Sequence, residues 1–169
     1  GGGLGVTLND WERERFDTLL RKELCADRSR ICAAMAFCFD KSGAAHQIAT
    51  LLKESLIECT YENKTVSVET RIARLYLLSD VLFNSQQPGV RNAFRYRDAI
   101  EEMAPEVFES MGQFDGGGRM RREKLRLAVC GVLEAWNKWS VYSVAFIDEL
   151  MARFEGKEIV QKPSDDDLA

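Results

Sequence analysis

The hydrophobic pattern is strongest in residues 71–85, where nearly every position from Ile72 to Phe83 is apolar. A helix that is apolar on all sides packs inside a domain, and the length of this segment favours a helix over a buried strand. Ser67 followed by the acidic Glu69 is typical of a helix start. The segment is shorter than a membrane span, which needs about 20 apolar residues. The pattern therefore predicts a buried central helix.

Polar residues interrupt this helix at Arg74, Ser79 and Asp80, and Asn84 follows. Asp80 and Asn84 are four positions apart and share one helix face, with Tyr76 one turn earlier. A desolvated carboxylate is costly unless it is paired, protonated or placed at the edge of a groove. Two interpretations follow. Asp80 is either an internal cap or ion-pair partner of a nearby arginine, or it faces a binding groove.

Helical spacing of apolar residues recurs along the rest of the chain. Pro105 restricts the residue before it and suits the first turn of a helix, so it predicts the end of one helix and the start of the next. The predicted ranges are about 8–24, 27–39, 43–59, 67–86, 91–103, 105–112, 119–139 and 143–156. About eight helices without a strand predict an all-α fold of stacked antiparallel pairs that form a superhelix.

The chain of 169 residues is long enough for one domain with its own core. We expect a flexible glycine-rich segment over residues 1–7, the domain over 8–156 and a disordered acidic tail over 157–169. The formal net charge is −4, so no global field favours nucleic acid or an acidic membrane. Any phosphate contact must therefore come from a local cluster of basic residues.

Residues that carry catalytic or metal chemistry are sparse. The five cysteines contain no Cys-x-x-Cys pair, and His46 is the only histidine, so the sequence predicts no metal site. The loop Phe114-Asp-Gly-Gly-Gly118 lacks the strand before it and the Lys-Ser/Thr after it that a phosphate-binding loop has. We expect no enzyme activity and no cofactor.

Two clusters of basic residues lie at predicted helix starts, where a cation opposes the helix dipole. Arg28 and Arg30 form the first, and Arg119, Arg121 and Arg122 open the second. Each cluster is either a solvated face or an anion site. The first is a candidate phosphate site, and the second is a candidate RNA contact.

The segment Ala73-Arg-Leu-Tyr-Leu-Leu-Ser-Asp-Val-Leu-Phe-Asn-Ser85 closely resembles the fourth-helix signature of CTD-interacting domains, which bind the C-terminal tail of RNA polymerase II. Three other segments agree in order and spacing: Ala33-Ala-Met-Ala-Phe-Cys38, Arg71-Ile-Ala, and Ala135-Trp-Asn-Lys-Trp-Ser-Val-Tyr142. Within the family, these segments are most similar to those of SURP-motif splicing factors associated with the U2 snRNP.

This resemblance implies a right-handed superhelix of about eight helices, related to VHS and ENTH domains. Its second, fourth and seventh helices hold Tyr-Ser-Pro-Thr-Ser-Pro-Ser heptads in a β-turn. The resemblance implies that Asp80 accepts a hydrogen bond from the peptide tyrosine and that Asn84 contacts the peptide backbone or its phosphoserine. Tyr76, Ser79 and Trp139 complete the predicted peptide-binding set. The groove interpretation of Asp80 is therefore favoured.

The chain departs from the family pattern at Trp139. Phosphate-reading members carry an arginine at this position, and a tryptophan cannot replace its two charge-assisted hydrogen bonds. Trp139 can offer an apolar surface to proline or tyrosine rings, or it can be a core residue. Arg28, Arg30 and Lys138 are the remaining candidate phosphate contacts, and the preference for phosphorylated heptads stays open.

Three functions compete at this point. The favoured one is a monomeric nuclear module that docks a splicing factor onto the polymerase tail, with U2 snRNP components as partners of the full-length protein and no membrane contact. The second is a trafficking adaptor of the VHS or ENTH type. The third is RNA binding through the basic cluster at 119–126, which predicts binding that weakens steeply with salt.

Overall fold

A computed structural model describes residues 6–114 and 117–157. Its α-helices are α1 (Asp10–Thr18), α2 (Arg28–Asp40), α3 (Ala45–Ile57), α4 (Val68–Ser85), α5 (Arg95–Gln113), α6 (Gly118–Lys138) and α7 (Val144–Glu155). A π-helical turn, Leu19–Glu23, extends α1, and a 3₁₀ turn, Ser42–Ala44, precedes α3. The predicted all-α superhelical fold is confirmed.

The helix starts follow the local sequence. Asn9 caps α1 through a reciprocal pair of hydrogen bonds with Glu12, which places the start two residues later than predicted. Ser67 and Ser143 accept backbone N–H groups at the starts of α4 and α7, as the sequence predicts. Asp27 occupies the cap position of α2, but its side chain makes no capping hydrogen bond there.

The predicted helix break at Pro105 is wrong, because α5 continues through this residue. An interior proline costs about 3 kcal/mol. The same helix buries Ile100, Met103, Val107 and Phe108, and each large apolar side chain contributes about 1.5–3 kcal/mol on full burial. Burial therefore outweighs the lost hydrogen bond.

Two further boundaries differ from prediction. Helix α5 begins at Arg95 rather than near residue 91, because Asn92 adopts a left-handed conformation with φ 65°. Residues 60–65, predicted as loop, form a minimal antiparallel hairpin, β1 (Thr60–Tyr61) with β2 (Lys64–Thr65). Its two turn residues both have positive φ, which suits a tight hairpin.

One hydrophobic core runs through the domain. Helix α5 packs between α3 and α7, and α4 packs against α2, α3, α5 and α6. Gly112 permits the close approach of α5 to α7, since a Cβ there would overlap the carbonyl oxygen of Phe154. Helix α4 is thus central, with α2 on one side and α6 on the other.

The predicted terminal segments lie largely outside the described residues. Of segment 1–7, Val6 and Thr7 are described, and the Val6 N–H donates to the Gly43 carbonyl at 3.2 Å. Of segment 157–169, only Lys157 is described. No helix in the described part of the chain is long and apolar enough to cross a membrane.

Candidate functional site

One side of α4 stays partly exposed between α2 and α6. Tyr76, Asp80 and Phe83 follow helical spacing along it, and Asn84 lies beside them. We call these four residues the α4 face. Tyr76 is 36% exposed and Phe83 38%, which is unusual for large side chains on a helix that is otherwise buried.

Asp80 is the charged residue of the α4 face, and its side chain is 23% exposed. Its Oδ2 accepts a hydrogen bond from Nη1 of Arg28 at 2.5 Å, so α2 supplies a cation directly opposite. This hydrogen bond and the negative charge of Asp80 raise the pKa of Arg28. Arg28 itself is 66% exposed, and exposed ion pairs are weak and exchange readily with other partners.

Asn84 extends the polar part of the face towards α2. Its Nδ2 donates to the backbone carbonyl of Asp80 at 2.8 Å and lies 3.3 Å from Sδ of Met35. These contacts fix the orientation of the amide. Its Oδ1 accepts no hydrogen bond within the described residues, so it is available to a donor from a ligand.

An aromatic pair forms the end of the face. The ring of Trp139, just after α6, lies 4.5 Å from that of Phe83, centroid to centroid, at an angle of 46°. Trp139 is 38% exposed, so it is a surface residue rather than part of the core. Sequence reasoning missed Phe83, although its spacing of three from Asp80 and seven from Tyr76 is the signal that places it on this face.

The prediction that Ser79 contacts the peptide is wrong. Ser79 is buried beneath the α4 face, with an exposed fraction of 6%. Its Oγ accepts a hydrogen bond from Nε1 of Trp136 at 3.1 Å. Trp136 is fully buried, with Phe108 and Tyr142 packed edge-on against it. Ser79 thus connects α4 to α6 and positions the face, and it is not available to a ligand.

The other predicted phosphate contacts are exposed but separate. Arg30 lies on the first turn of α2, with Nη1 3.9 Å from a carboxylate oxygen of Glu23. Lys138 lies in the last turn of α6 beside Trp139. Of these three residues, Arg28 is the one that forms an ion pair with a residue of the α4 face. The structure therefore brings Arg28 together with Asp80 and leaves Arg30 at the periphery.

The candidate RNA contacts lie away from the α4 face. Arg119, Arg121 and Arg122 are all exposed in the first turns of α6. Helix α6 runs parallel to α4, because Lys124 lies 3.8 Å from Glu69 at their starts while Trp139 meets Phe83 at their ends. The arginine cluster therefore lies near the start of α4, and Asp80 lies in its later half.

Sequence reasoning also missed the partners of two arginines on α4. Arg71 and Arg74 are 0% and 2% exposed. Arg71 donates to the carbonyls of Leu56 and Glu58 at 3.1 and 2.7 Å, and Arg74 donates to that of Ser55 at 2.6 Å. These carbonyls belong to the C-terminal end of α3, where a cation is favourable.

Burial lowers the pKa of both guanidinium groups. The carboxylate of Glu58 compensates part of that charge, since it lies 2.8 Å from Arg74 and 2.8 Å from Arg21. Among the buried side-chain polar atoms of the described residues, only Nε of Arg71 and Nε of Arg74 lack a hydrogen-bond partner. This cluster joins α3 to α4, and its two central arginines, Arg71 and Arg74, are buried.

The comparison with known families identifies the domain. The family model of the CID domain matches residues 14–150. The chain belongs to the CID domain family. The matched range includes the α4 face, Arg28 and Trp139, so the site lies wholly within the CID domain.

Relatives and solved structures agree with this assignment. The proteins RRC1-like and RRC1 of Arabidopsis thaliana are 38% and 37% identical to the chain over 150 residues. The match covers 88% of this chain but only 15% of each relative, so the chain spans a small part of the length of these proteins. The crystal structure of the yeast Nrd1 CID in complex with Sen1 NIM1 has a TM-score of 0.58 at 12% identity, covering 83% of this chain and 94% of that one, which supports the fold.

The described residues contain no group of three or more His, Cys, Asp or Glu side chains arranged to hold a metal ion. All five cysteines are unpaired, and burial raises the pKa of the Cys38 thiol to about 12. The α4 face offers one carboxylate, one amide and two aromatic side chains, and Trp139 packs on one of these, Phe83.

Proposed function

We propose that this CID domain binds the heptad-repeat C-terminal tail of RNA polymerase II through the α4 face. The observation that carries the proposal is the carboxylate of Asp80, which is partly exposed and, among residues 6–114 and 117–157, is paired only with the exposed Arg28. A tyrosine hydroxyl from a peptide can donate to such a carboxylate, and hydrogen bonds to charged acceptors are stronger than those between neutral groups. The domain acts as a binding module, not as an enzyme.

The rest of the face suits the other features of a heptad. Phe83 and Trp139 offer an apolar surface to proline or tyrosine rings. The Oδ1 of Asn84 suits a backbone N–H of an extended or turning peptide. Arg28 lies where it can pair with a phosphate once a tyrosine takes its place at Asp80. The resolved complex of the yeast Nrd1 CID with Sen1 NIM1 supports a role in partner binding for a domain of this fold.

At the level of the whole protein, we propose a nuclear RNA-processing factor that uses this domain to reach the transcribing polymerase. The similarity to RRC1-like and RRC1 concerns only this domain. Pre-mRNA splicing and U2 snRNP components as partners rest on the resemblance of the helix segments described above. Co-purification of the full-length protein with the polymerase tail and with U2 snRNP components tests this proposal for the whole protein, separately from the peptide binding of the domain.

The decisive experiment combines Asp80→Asn with a peptide in which tyrosine is replaced by phenylalanine. A hydrogen bond to a charged group is worth about 1.5–3 kcal/mol, so the phenylalanine peptide, which lacks the donor, should bind about 10- to 100-fold more weakly. Asp80→Asn keeps an acceptor oxygen but removes its charge, so it should weaken binding of the tyrosine peptide by a smaller factor. Because both changes act on the same hydrogen bond, the two together should cost little more than the phenylalanine peptide alone. Binding is measured by NMR titration of the ¹⁵N-labelled chain with two-heptad peptides.

Two observations serve as controls for that experiment. The resonances of Asp80, Asn84 and Trp139 should move on titration, whereas those of His46, which is exposed on α3, should not. The matched variant Asp98→Asn removes an exposed carboxylate of α5 and should leave the affinity unchanged. Additive losses from Asp80→Asn and the phenylalanine peptide would contradict the proposed contact.

A further inference from the structure

A cavity of about 340 Å³ lies between α3 and α1 with its π-helical turn, and it shares no residue with the α4 face. Its floor is apolar and consists of Phe16, Leu20 and Leu51. Phe16 and Leu20 are 0% and 1% exposed, and the Phe16 ring stacks on that of Phe37 of α2 with 5.1 Å between the centroids. The floor is therefore anchored in the core, and the cavity has room for an apolar side chain of a ligand.

The rim of this cavity has an excess of negative charge. Four carboxylates and two guanidinium groups line it, namely those of Asp10, Glu14, Asp17, Glu54, Arg13 and Arg21. The charge of Arg21 is already matched inside the domain, because its terminal nitrogens lie 2.5 Å from Asp17 and 2.8 Å from Glu58. Of the lining residues, Arg13 is then the cation that remains for three carboxylates. A ligand that enters between α1 and α3 therefore meets a negative potential.

Trp11 extends this surface along the outer side of α1. It is 73% exposed, and it lines a smaller hollow together with Glu14, Arg15 and Thr18. Because Glu14 lines both concavities, Trp11 and the cavity form one continuous surface. We call the surface formed by Trp11 and the cavity the α1 face. Arg15 does not offset its negative charge, since Arg15 is paired with Glu23 at 2.6 Å.

The chemistry of the α1 face selects a basic peptide segment that also carries an apolar side chain. Tryptophan is largely buried in most domains and is enriched at protein interfaces, and its ring is the best partner for a cation–π contact. An arginine of the ligand can lie over Trp11 and donate to the carboxylate of Glu14. An acidic peptide or a nucleic-acid strand is repelled by the same rim.

We propose that the α1 face docks a short basic segment of a partner protein. One arginine of the segment stacks on Trp11 and pairs with Glu14, and a neighbouring apolar side chain enters the cavity against Phe16 and Leu51. A second cation of the segment pairs with Glu54 of α3, on the far rim. The α1 face is separate from the α4 face, so this binding does not depend on the proposed binding of the polymerase tail.

The test is an NMR titration of the ¹⁵N-labelled full chain with the blocked peptide Arg-Arg-Leu-Leu-Arg-Arg. The indole N–H resonance of Trp11 and the amides of Glu14 and Leu51 should shift, and the indole resonance of Trp139 on the α4 side should not. A peptide with serine in place of both leucines should bind about tenfold or more weakly, because the apolar floor stays in contact with water. A peptide with glutamate in place of the four arginines should cause no shift.

Two variants test the named contacts. Trp11→Ala should weaken binding about two- to fivefold, and Glu14→Gln/Glu54→Gln should weaken it about three- to tenfold, with a smaller loss at high salt. Glu102→Gln/Glu109→Gln is the control, since it removes two exposed carboxylates of α5 that do not line the cavity, and it should bind as the wild type does. An unchanged Trp11 resonance, or equal affinity of wild type and Glu14→Gln/Glu54→Gln, would overturn the proposal.

Sedimentation of the chain without peptide distinguishes a basic partner from a second copy of the chain. A monomer at the concentration of the NMR experiment, for both the wild type and Trp11→Ala, supports the proposal. Self-association that Trp11→Ala abolishes would assign the α1 face to a second copy of the chain and would overturn the proposed partner. The heptad peptide provides a separate readout, because its binding is followed at Trp139 and Asp80 and not at Trp11.

Discussion

The two halves of α4 both place polar side chains in an apolar helix, and they satisfy them in opposite ways. In the first half, Arg71 and Arg74 are buried, and their terminal nitrogens donate to carbonyls at the end of α3. In the second half, Asp80 and Asn84 are partly exposed, and the carboxylate of Asp80 is paired with an exposed arginine. The same helix therefore carries a structural cluster and a recognition surface.

The two halves of α4 differ in whether their polar side chains can change partners. A buried guanidinium that donates to backbone carbonyls stabilises the fold and does not bind a ligand, because its hydrogen bonds are already made inside the protein. A partly exposed carboxylate with one exposed partner can exchange that partner for a ligand donor at small cost. Mutations in the two halves should therefore separate stability from binding.

The largest effect is expected for Arg74→Met, which should destabilise the domain by about 3–5 kcal/mol. The variant leaves the carbonyl of Ser55 without its donor and removes one of the two cations bound to Glu58. The magnitude combines two losses: a buried carbonyl without its donor costs about 1–3 kcal/mol, and the partly buried carboxylate of Glu58 keeps Arg21 as its one cation among the described residues. Urea denaturation of the full chain measures the change in the free energy of unfolding.

Two variants make this stability test specific. Arg126→Met removes an exposed pair with Glu123 on α6 and should leave the urea midpoint unchanged. Asp80→Asn should also leave it unchanged, because the second half of α4 serves recognition. A loss of stability in Asp80→Asn as large as that in Arg74→Met would remove the distinction between the two halves.

Much of this helix can be predicted from the sequence. The apolar run from Ile72 to Phe83 predicts a buried helix, and the spacing of Tyr76, Asp80 and Asn84 predicts a shared face. The burial of Ser79 cannot be predicted in the same way. Its hydroxyl meets Trp136, which is 57 residues away along the chain, and such tertiary contacts leave no local signal.

The structure around Arg71, Arg74 and Pro105 also depends on tertiary contacts that the local sequence does not reveal. Local preference argues for a break at Pro105, and this expectation fails because burial contributes more free energy. Local preference also gives no indication of which groups bind the arginines of α4. The acceptors of Arg71 and Arg74 are unpaired carbonyls at the end of α3, a feature of one helix that only the packed structure presents to another. Periodicity thus predicts elements and faces, but not partners.

The next largest effect is expected for Trp139→Ala, which should weaken heptad binding about tenfold or more. The indole packs on Phe83 and keeps 38% of its surface exposed, which is the situation of an aromatic residue that dominates an interface. Isothermal titration calorimetry with an unphosphorylated two-heptad peptide measures the change. The stability of the variant should fall little, because the indole lies outside the core.

Trp139→Arg provides the matched comparison at the same position. It restores the residue that phosphate-reading relatives are expected to carry, and an arginine binds a phosphate bidentately. This variant should lose affinity for the unphosphorylated peptide and gain it for the phosphorylated one. An unchanged affinity of Trp139→Ala for both peptides would exclude the aromatic pair from the site.

A smaller effect, with a sign that depends on the peptide, is expected for Arg28→Ala. Removal of the arginine frees the carboxylate of Asp80, so an unphosphorylated peptide should bind up to a few-fold more tightly. A phosphorylated peptide loses a cation and should bind more weakly. Arg30→Ala is the control, since Arg30 lies on the same turn but does not contact the α4 face. Parallel losses with both peptides would mean that Arg28 only positions Asp80.

The smallest effect concerns the cysteines of α2 and requires no mutation. Cys32 is half-buried on α2, one turn after Arg28. A peptide on the α4 face should slow alkylation of Cys32 at pH 8, as followed by mass spectrometry, and leave the exposed Cys25 and Cys59 unaffected. Cys38 should stay unreactive with or without peptide, since burial raises the pKa of its thiol to about 12. Equal protection of all the reactive cysteines would indicate general stabilisation of the domain instead of a ligand that covers α2 beside Asp80.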